Sequence, residues 1–236
     1  MTAMGILSGI RDFIAPDICP MCGVELANPD VRLCDDCYGR FPLLPEKRCP
    51  GCGGPGDSLM KQCRECLDVE ERPWQIAVSA FVFDDLARTA IHRLKYRGRR
   101  ELAPFFAAHL AENWRKYADG FSPDAITPVP LHWWRRFRRG YNQSGEVAWF
   151  LSKELGIPFM KLLKRVKYTK AQVTLDAQKR VANLKSAFAG SEDARGKRVL
   201  IVDDVFTTGA TLTAAAKALL KQKARGVAVI TIARDL

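Results

Sequence analysis

All eight cysteines of the chain fall into four C-x-x-C pairs within its first 66 residues: Cys19/Cys22, Cys34/Cys37, Cys49/Cys52 and Cys63/Cys66. Two cysteines separated by two residues offer both sulfurs to one ion from a tight turn, and a second pair completes a tetrahedral four-thiolate site. Four pairs therefore predict two metal sites in a segment rich in Gly, Pro and Asp and poor in apolar periodicity. Zinc suits such ligands, with iron the other candidate, since ligand type alone does not separate them. A disulfide framework needs an oxidising compartment that nothing in the sequence indicates, and a redox C-x-x-C stands singly near a βαβ unit. Sequential pairing closes loops of about 12 residues and crossed pairing about 30, a difference of ~0.8 kcal/mol that points to the sequential arrangement. Gly23 and Gly53 follow the second cysteine of their pairs, where a small residue lets backbone amides approach sulfur.

The division continues in the charges. There are 8 basic and 12 acidic residues before Trp74, against 29 and 14 from Trp74 onward. The expected organisation is a Cys-rich double zinc-binding module over residues 1–73 and a basic main domain over 74–236, whose charge suits phosphate-bearing partners. Apolar residues at 47% and charged residues at 27% exclude collagen-like, coiled-coil and wholly disordered chains. The longest apolar runs stop well short of the roughly 18 residues a membrane helix needs, and residues 6–14 are too few and too charged for a signal peptide. A cytoplasmic protein with no membrane insertion is expected.

From residue 74 the pattern alternates. Residues 76–83 read as a strand, 86–96 as a helix on Leu86, Ile91 and Leu94, 102–117 as a helix, 125–129 as a strand, and 142–155 as a helix ended by Gly156. An extended segment over 159–167 and a basic, Gln-rich helical stretch up to Phe188 follow. Strand 199–202, helix 210–223 and strand 227–233 close the chain. The fold class is α/β, with a mostly parallel sheet flanked by helices.

Residues 199–212, VLIVDDVFTTGATL, carry the most chemistry. A buried strand leads to Asp203 and Asp204, and Val205, Phe206, Thr207, Thr208, Gly209, Ala210 and Thr211 then form a small hydroxyl-rich loop that opens a helix. In an open α/β sheet that edge is where ligands bind. Free amides at a helix start, with threonine hydroxyls beside them, make a cradle for a phosphate dianion. Two neighbouring carboxylates can accept from vicinal ribose hydroxyls or share a Mg²⁺ with a pyrophosphate. The layout fits a ribose 5-phosphate.

That segment resembles the phosphoribosyl pyrophosphate (PRPP) signature of type I phosphoribosyltransferases. Leu94-Lys95-Tyr96, Pro128-Val129-Pro130-Leu131, Arg139-Gly140-Tyr141-Asn142-Gln143-Ser144 and the spaced Arg165, Gln172, Arg180, Asn183 and Phe188, with the cysteine pairs in front, resemble the ComF family of competence-related proteins. The resemblance implies a type I phosphoribosyltransferase-like domain behind a Cys₄ zinc module. It also implies Asp203 and Asp204 on the ribose hydroxyls, residues 205–211 on the 5-phosphate, Pro130 and Leu131 in the pyrophosphate loop, and Mg²⁺ accompanying PRPP. One departure stands out: purine-using relatives carry an acid at the first loop position, where this chain has Thr207. The resemblance supports PRPP binding and leaves acceptor and catalysis open.

Lys95, Arg97, Arg139, Arg165, Lys167, Lys170 and Arg180 are candidates for clamping a departing pyrophosphate. In residues 133–141, arginines interleave with aromatics. Trp134, Arg135, Arg136, Arg138 and Arg139, with Arg165 and Lys167, are either solvated or pyrophosphate-binding groups or a platform on which single-stranded DNA stacks and tracks its backbone. Three functions follow: transfer of ribose 5-phosphate to an unknown acceptor; handling of single-stranded DNA in natural transformation, as the family resemblance implies; and PRPP sensing that signals to a partner through the zinc module, with competence-machinery proteins as candidate partners.

Overall fold

Strands rich in valine, isoleucine and alanine build the centre of this computed structural model, which describes residues 18–28, 32–56, 63–67, 69, 72–131, 139–166 and 187–236. Strands β1 (Ala77–Val82), β2 (Ala125–Pro128), β5 (Arg198–Phe206) and β6 (Gly226–Arg234) pair in the order β1-β6-β5-β2, all parallel. Every residue of β6 is buried, because helices cover both faces and leave no solvated side to alternate with. Between β2 and β5, β3 (Leu163–Arg165) and β4 (Phe188–Gly190) form a small antiparallel pair.

The longer helices among the described residues are α1 (Asp85–Tyr96), α2 (Leu102–Tyr117), α3 (Gln143–Leu155) and α4 (Ala210–Lys221), of which α2, α3 and α4 pack on the sheet. Helix α1 starts where Asp84 caps it, its carboxylate accepting from the Ala87 N–H at 2.8 Å. Phe105 and Phe106 of α2 meet Phe81 of β1 at centroid separations of 6.0 and 6.1 Å. Gly156 ends α3 in the left-handed conformation at φ 66°, which costs glycine nothing.

Apart from the basic helical stretch before Phe188, each element expected from residue 76 to the end has a counterpart among the described residues, with two differences. The strand expected at 199–202 continues to Phe206, because β6 supplies ladder partners as far as Arg234. The expected basic helical stretch falls mostly on residues 167–186, outside the described residues, and its end at Phe188 is strand, held in register with Arg165. There β4 lies so close to α4 that a Cβ on Gly190 would stand 2.6 Å from the Ala218 carbonyl oxygen. Gly190→Ala is expected to cost about 1–3 kcal/mol in urea unfolding, since backbone must move to admit the methyl group.

The chain divides into two compact units, Met1–Phe41 and Pro42–Leu236. In the first, the Gly23 N–H donates to the Cys19 carbonyl at 2.8 Å and Gly23 sits at φ 81°. In the second, Gly53 repeats the turn on Cys49 at 2.7 Å and φ 69°. Both glycines follow their cysteine pairs because the turn needs a left-handed residue. Within the larger unit, described residues ahead of Trp74 pack with the sheet. The Ala77 N–H donates to the Pro50 carbonyl at 2.7 Å and the Trp74 indole to the Gly51 carbonyl at 2.9 Å, so the second cysteine group shares the main core. No helix among the described residues is long and apolar enough to cross a membrane.

Candidate functional site

The eight cysteines form two groups, Cys19/Cys22/Cys34/Cys37 and Cys49/Cys52/Cys63/Cys66, within each of which all four sulfurs lie within 4.8 Å of one another. Pairing is sequential, as the shorter loops favour. Four thiolates at zinc distance stand about 3.8 Å apart around a tetrahedron. The Cys22–Cys34 and Cys52–Cys63 sulfur separations of 3.5 and 3.6 Å match that spacing, so both groups fit zinc. The Cys63 N–H donates to the Cys49 sulfur at 3.2 Å, the outer-shell support expected of a metal-bound thiolate. The Cys52 thiol, donating to Cys49, and then the N–H groups of Cys63, Cys52 and Gly51 outweigh burial and bring the Cys49 thiol down to about 4. Bonding to Cys49 and burial push the Cys52 thiol up.

The acid pair lies within β5 rather than beyond its end, and the amino-terminal turn of α3 reaches it. The Ser144 hydroxyl donates to Asp203 Oδ1 at 3.1 Å, joined there by the Asp204 N–H at 2.9 Å. Asp204 Oδ2 accepts from Gln143 Nε2 at 2.8 Å and pairs with Lys95 Nζ at 2.7 Å. Gln143 in turn accepts through Oε1 from Arg139 Nη1 at 3.0 Å, which fixes the direction of its amide. The Arg139 guanidinium lies 4.4 Å over the Tyr96 ring, and the Tyr141 hydroxyl donates to the Leu94 carbonyl. Asn142 Nδ2 ties the turn to the Val129 carbonyl at 3.1 Å, immediately before Pro130 and Leu131. Three separate stretches, around residues 95, 139–144 and 203–204, thus meet at one sheet edge.

Burial pushes the Asp203 carboxyl up to about 7, helped by the Asp204 charge beside it and opposed by the Asp204 N–H, Lys95 and Ser144. One proton between two adjacent acids relieves their repulsion in a poorly solvated place. As carboxylates they are acceptors only, so the site is built to receive O–H groups or a cation.

Downstream, Val205 is half-buried, Phe206 buried, Thr207 and Thr208 exposed, Ala210 and Thr211 half-buried. Gly209 is the capping residue of α4 at φ 77°. It is there for space as well as flexibility: a Cβ would lie 2.8 Å from Arg72 Nη1 and 2.9 Å from the Phe206 ring. The first amides of α4 have no partner within the helix, and the Ala210 N–H is met by the Thr208 hydroxyl at 3.3 Å. Arg165 rests over the Phe188 ring at 5.4 Å. Trp134, Arg135, Arg136, Arg138 and Lys167 lie outside the described residues. Gln143 and Ser144 entered the sequence reading only as part of a motif; their bonds to the acids span 61 and 59 residues, and no local pattern marks such a contact.

A parallel sheet whose central strand carries paired acids into a hydroxyl-rich loop defines a domain of the phosphoribosyltransferase class, and the phosphoribosyl transferase domain model matches residues 142–236. Over nearly its whole length the chain also aligns with characterised proteins: it is 34% identical to DNA utilization protein YhgH of Salmonella typhi, covering 94% of this chain and 98% of that one. It is 33% identical to Competence protein F of Haemophilus influenzae, covering 92% and 96%, and 27% identical to Competence protein ComFC of Bacillus subtilis, covering 89% and 87%. The chain belongs to the ComF family.

Proposed function

We propose that this protein binds PRPP or a related phosphorylated ribose with Mg²⁺ at the β5–α4 junction, and acts in DNA uptake on single-stranded DNA. The observation that carries the pocket reading is the acid pair, held by Ser144, Gln143 and Lys95 directly ahead of the threonine loop. In this reading Asp203 and Asp204 accept the ribose hydroxyls, the amides and hydroxyls of residues 207–211 take the 5-phosphate, and Pro130 and Leu131 flank the pyrophosphate. Lys95 pairs with Asp204 and offers a cation to a pyrophosphate bound beside that acid. Magnesium bound with PRPP supplies the charge neutralisation that eases pyrophosphate departure. The cysteine groups ahead of Trp74 hold two structural zinc ions. The DNA role draws on the relatives' names, competence and DNA utilization, and on the excess of basic residues from Trp74 onward.

Calorimetric titration of the full chain with PRPP and Mg²⁺ is expected to show one binding event per chain, lost in an Asp203→Asn, Asp204→Asn double variant. Repeating it with short single-stranded DNA present separates the two ligands: competition puts both in one place, and additive heats put them apart. No heat with PRPP under either condition overturns the pocket assignment.

A further inference from the structure

The threonine loop is held from behind by two arginines, and both lead to the second cysteine group. Arg234, the last residue of β6 and only 5% exposed, donates through Nη1 to the carbonyls of Phe206 at 3.3 Å and Thr207 at 3.1 Å. Its Nη2 pairs with Glu65. Arg72 donates through Nη1 to the Thr208 carbonyl at 2.9 Å, with its guanidinium 5.5 Å over Trp74 and 5.6 Å over Phe206. Three consecutive carbonyls, 206 to 208, are thereby taken by guanidinium groups. In a trans peptide unit the N–H points opposite to the C=O, so the amides of Thr207, Thr208 and Gly209 are each turned away from the arginine that holds their peptide unit. Successive amides presented in this way form an anion nest.

Glu65 stands between Cys63 and Cys66, on the helical turn Arg64–Leu67. It is the carboxylate partner of a guanidinium otherwise sunk in apolar and carbonyl surroundings, and a buried charge without its partner is strongly destabilised. Trp74, beneath Arg72, bonds the Gly51 carbonyl between Cys49 and Cys52. Each arginine is thus seated on a different part of the same cysteine cluster.

We propose that Arg72 and Arg234 are positioning residues that set the phosphate-binding geometry of residues 207–209, and that Glu65 makes this geometry depend on the folded, metal-loaded state of the Cys49/Cys52/Cys63/Cys66 group. The proposal rests on the pocket reading above and adds that phosphate affinity is set partly from the cysteine cluster. Glu65 is itself largely exposed and glutamine keeps an oxygen acceptor for the Arg234 guanidinium, so Glu65→Gln is expected to keep the fold and the metal content.

The test uses the zinc-loaded full chain, with ribose 5-phosphate as the probe, in Glu65→Gln, Arg72→Ala and Arg72→Lys. Zinc content and melting temperature are measured alongside amide hydrogen exchange over residues 207–209 in the unliganded proteins. Glu65→Gln is expected to retain two zinc ions per chain, bind ribose 5-phosphate about fivefold more weakly, and exchange its loop amides faster than the parent. Arg72→Ala is expected to lose about tenfold, with partial recovery in Arg72→Lys, which keeps one donor for the Thr208 carbonyl. Unchanged loop exchange in both Glu65→Gln and Arg72→Ala overturns the bracing. Faster exchange with unchanged affinity overturns the link to phosphate binding. If the parent chain itself binds no ribose 5-phosphate, the pocket reading has failed, and exchange alone decides the bracing.

Discussion

Cys66→Ser is expected to prevent the larger unit from folding, and a zinc chelator is expected to have the same effect on the parent chain. Cys49, Cys52 and Cys66 are 1%, 2% and 4% exposed and belong to the same apolar cluster as Trp74, Ala77 and Phe206. A structural zinc contributes on the order of 10–16 kcal/mol to folding, against a total stability of about 5–15 kcal/mol for an ordinary domain. Losing one ligand removes most of that contribution and leaves unpaired thiols inside the core. Cys34→Ser, in the unit Met1–Phe41, is expected to leave the sheet's melting transition in place. Far-ultraviolet circular dichroism with zinc quantification checks both variants; a Cys66→Ser protein melting like its parent would remove the second cluster from the core.

Asp203→Asn is expected to stabilise the protein at neutral and alkaline pH while abolishing its affinity for a ribose. The folded Asp203 carboxyl is pushed up to about 7, first by burial and then by Asp204, whereas in the unfolded chain it lies near 3.9. Between those values the native state holds a proton that the unfolded state has released. The stability contributed by that proton is complete below about pH 4 and is lost as pH rises to about 7. At about 1.4 kcal/mol for each pH unit the loss reaches at most ~4 kcal/mol. Asparagine keeps an oxygen for the Ser144 hydroxyl and the Asp204 N–H and carries no charge, so the variant lacks this dependence. Urea unfolding of both proteins from pH 4.5 to 8 reads the effect as a difference, in which the pH dependence of the metal sites cancels. A constant difference across that range would mean that Asp203 ionises normally. A site that destabilises its own fold at working pH is placed for binding rather than for stability.

Helix 102–117 was legible to the residue, because Phe105, Phe106, Leu110 and Trp114 recur at helical spacing and nothing in the sequence competes with that period. The cysteine pairs were legible with their partners, since metal ligation from a tight turn is local chemistry. The strand at Phe188 is not legible along the chain, because it exists only by pairing with Arg165, 23 residues earlier. The extent of β5 was likewise invisible: Asp203 and Asp204 look like the start of a loop until β6 is seen running beside them.

From sequence alone came the chemistry of the parts: two sets of four thiols, a buried strand ending in paired acids, a loop of hydroxyls opening a helix, and the family these together resemble. Periodicity and ligand spacing act over a few residues, so they can be read along the chain. Only the folded chain decided what those parts touch. It put Gln143, Ser144 and Lys95 on the acids, drew the second cysteine group into the main core, and seated Arg72 and Arg234 behind the threonine loop. Each of these contacts joins residues far apart in sequence. Their energies depend on burial and on distance in space, which sequence spacing does not carry.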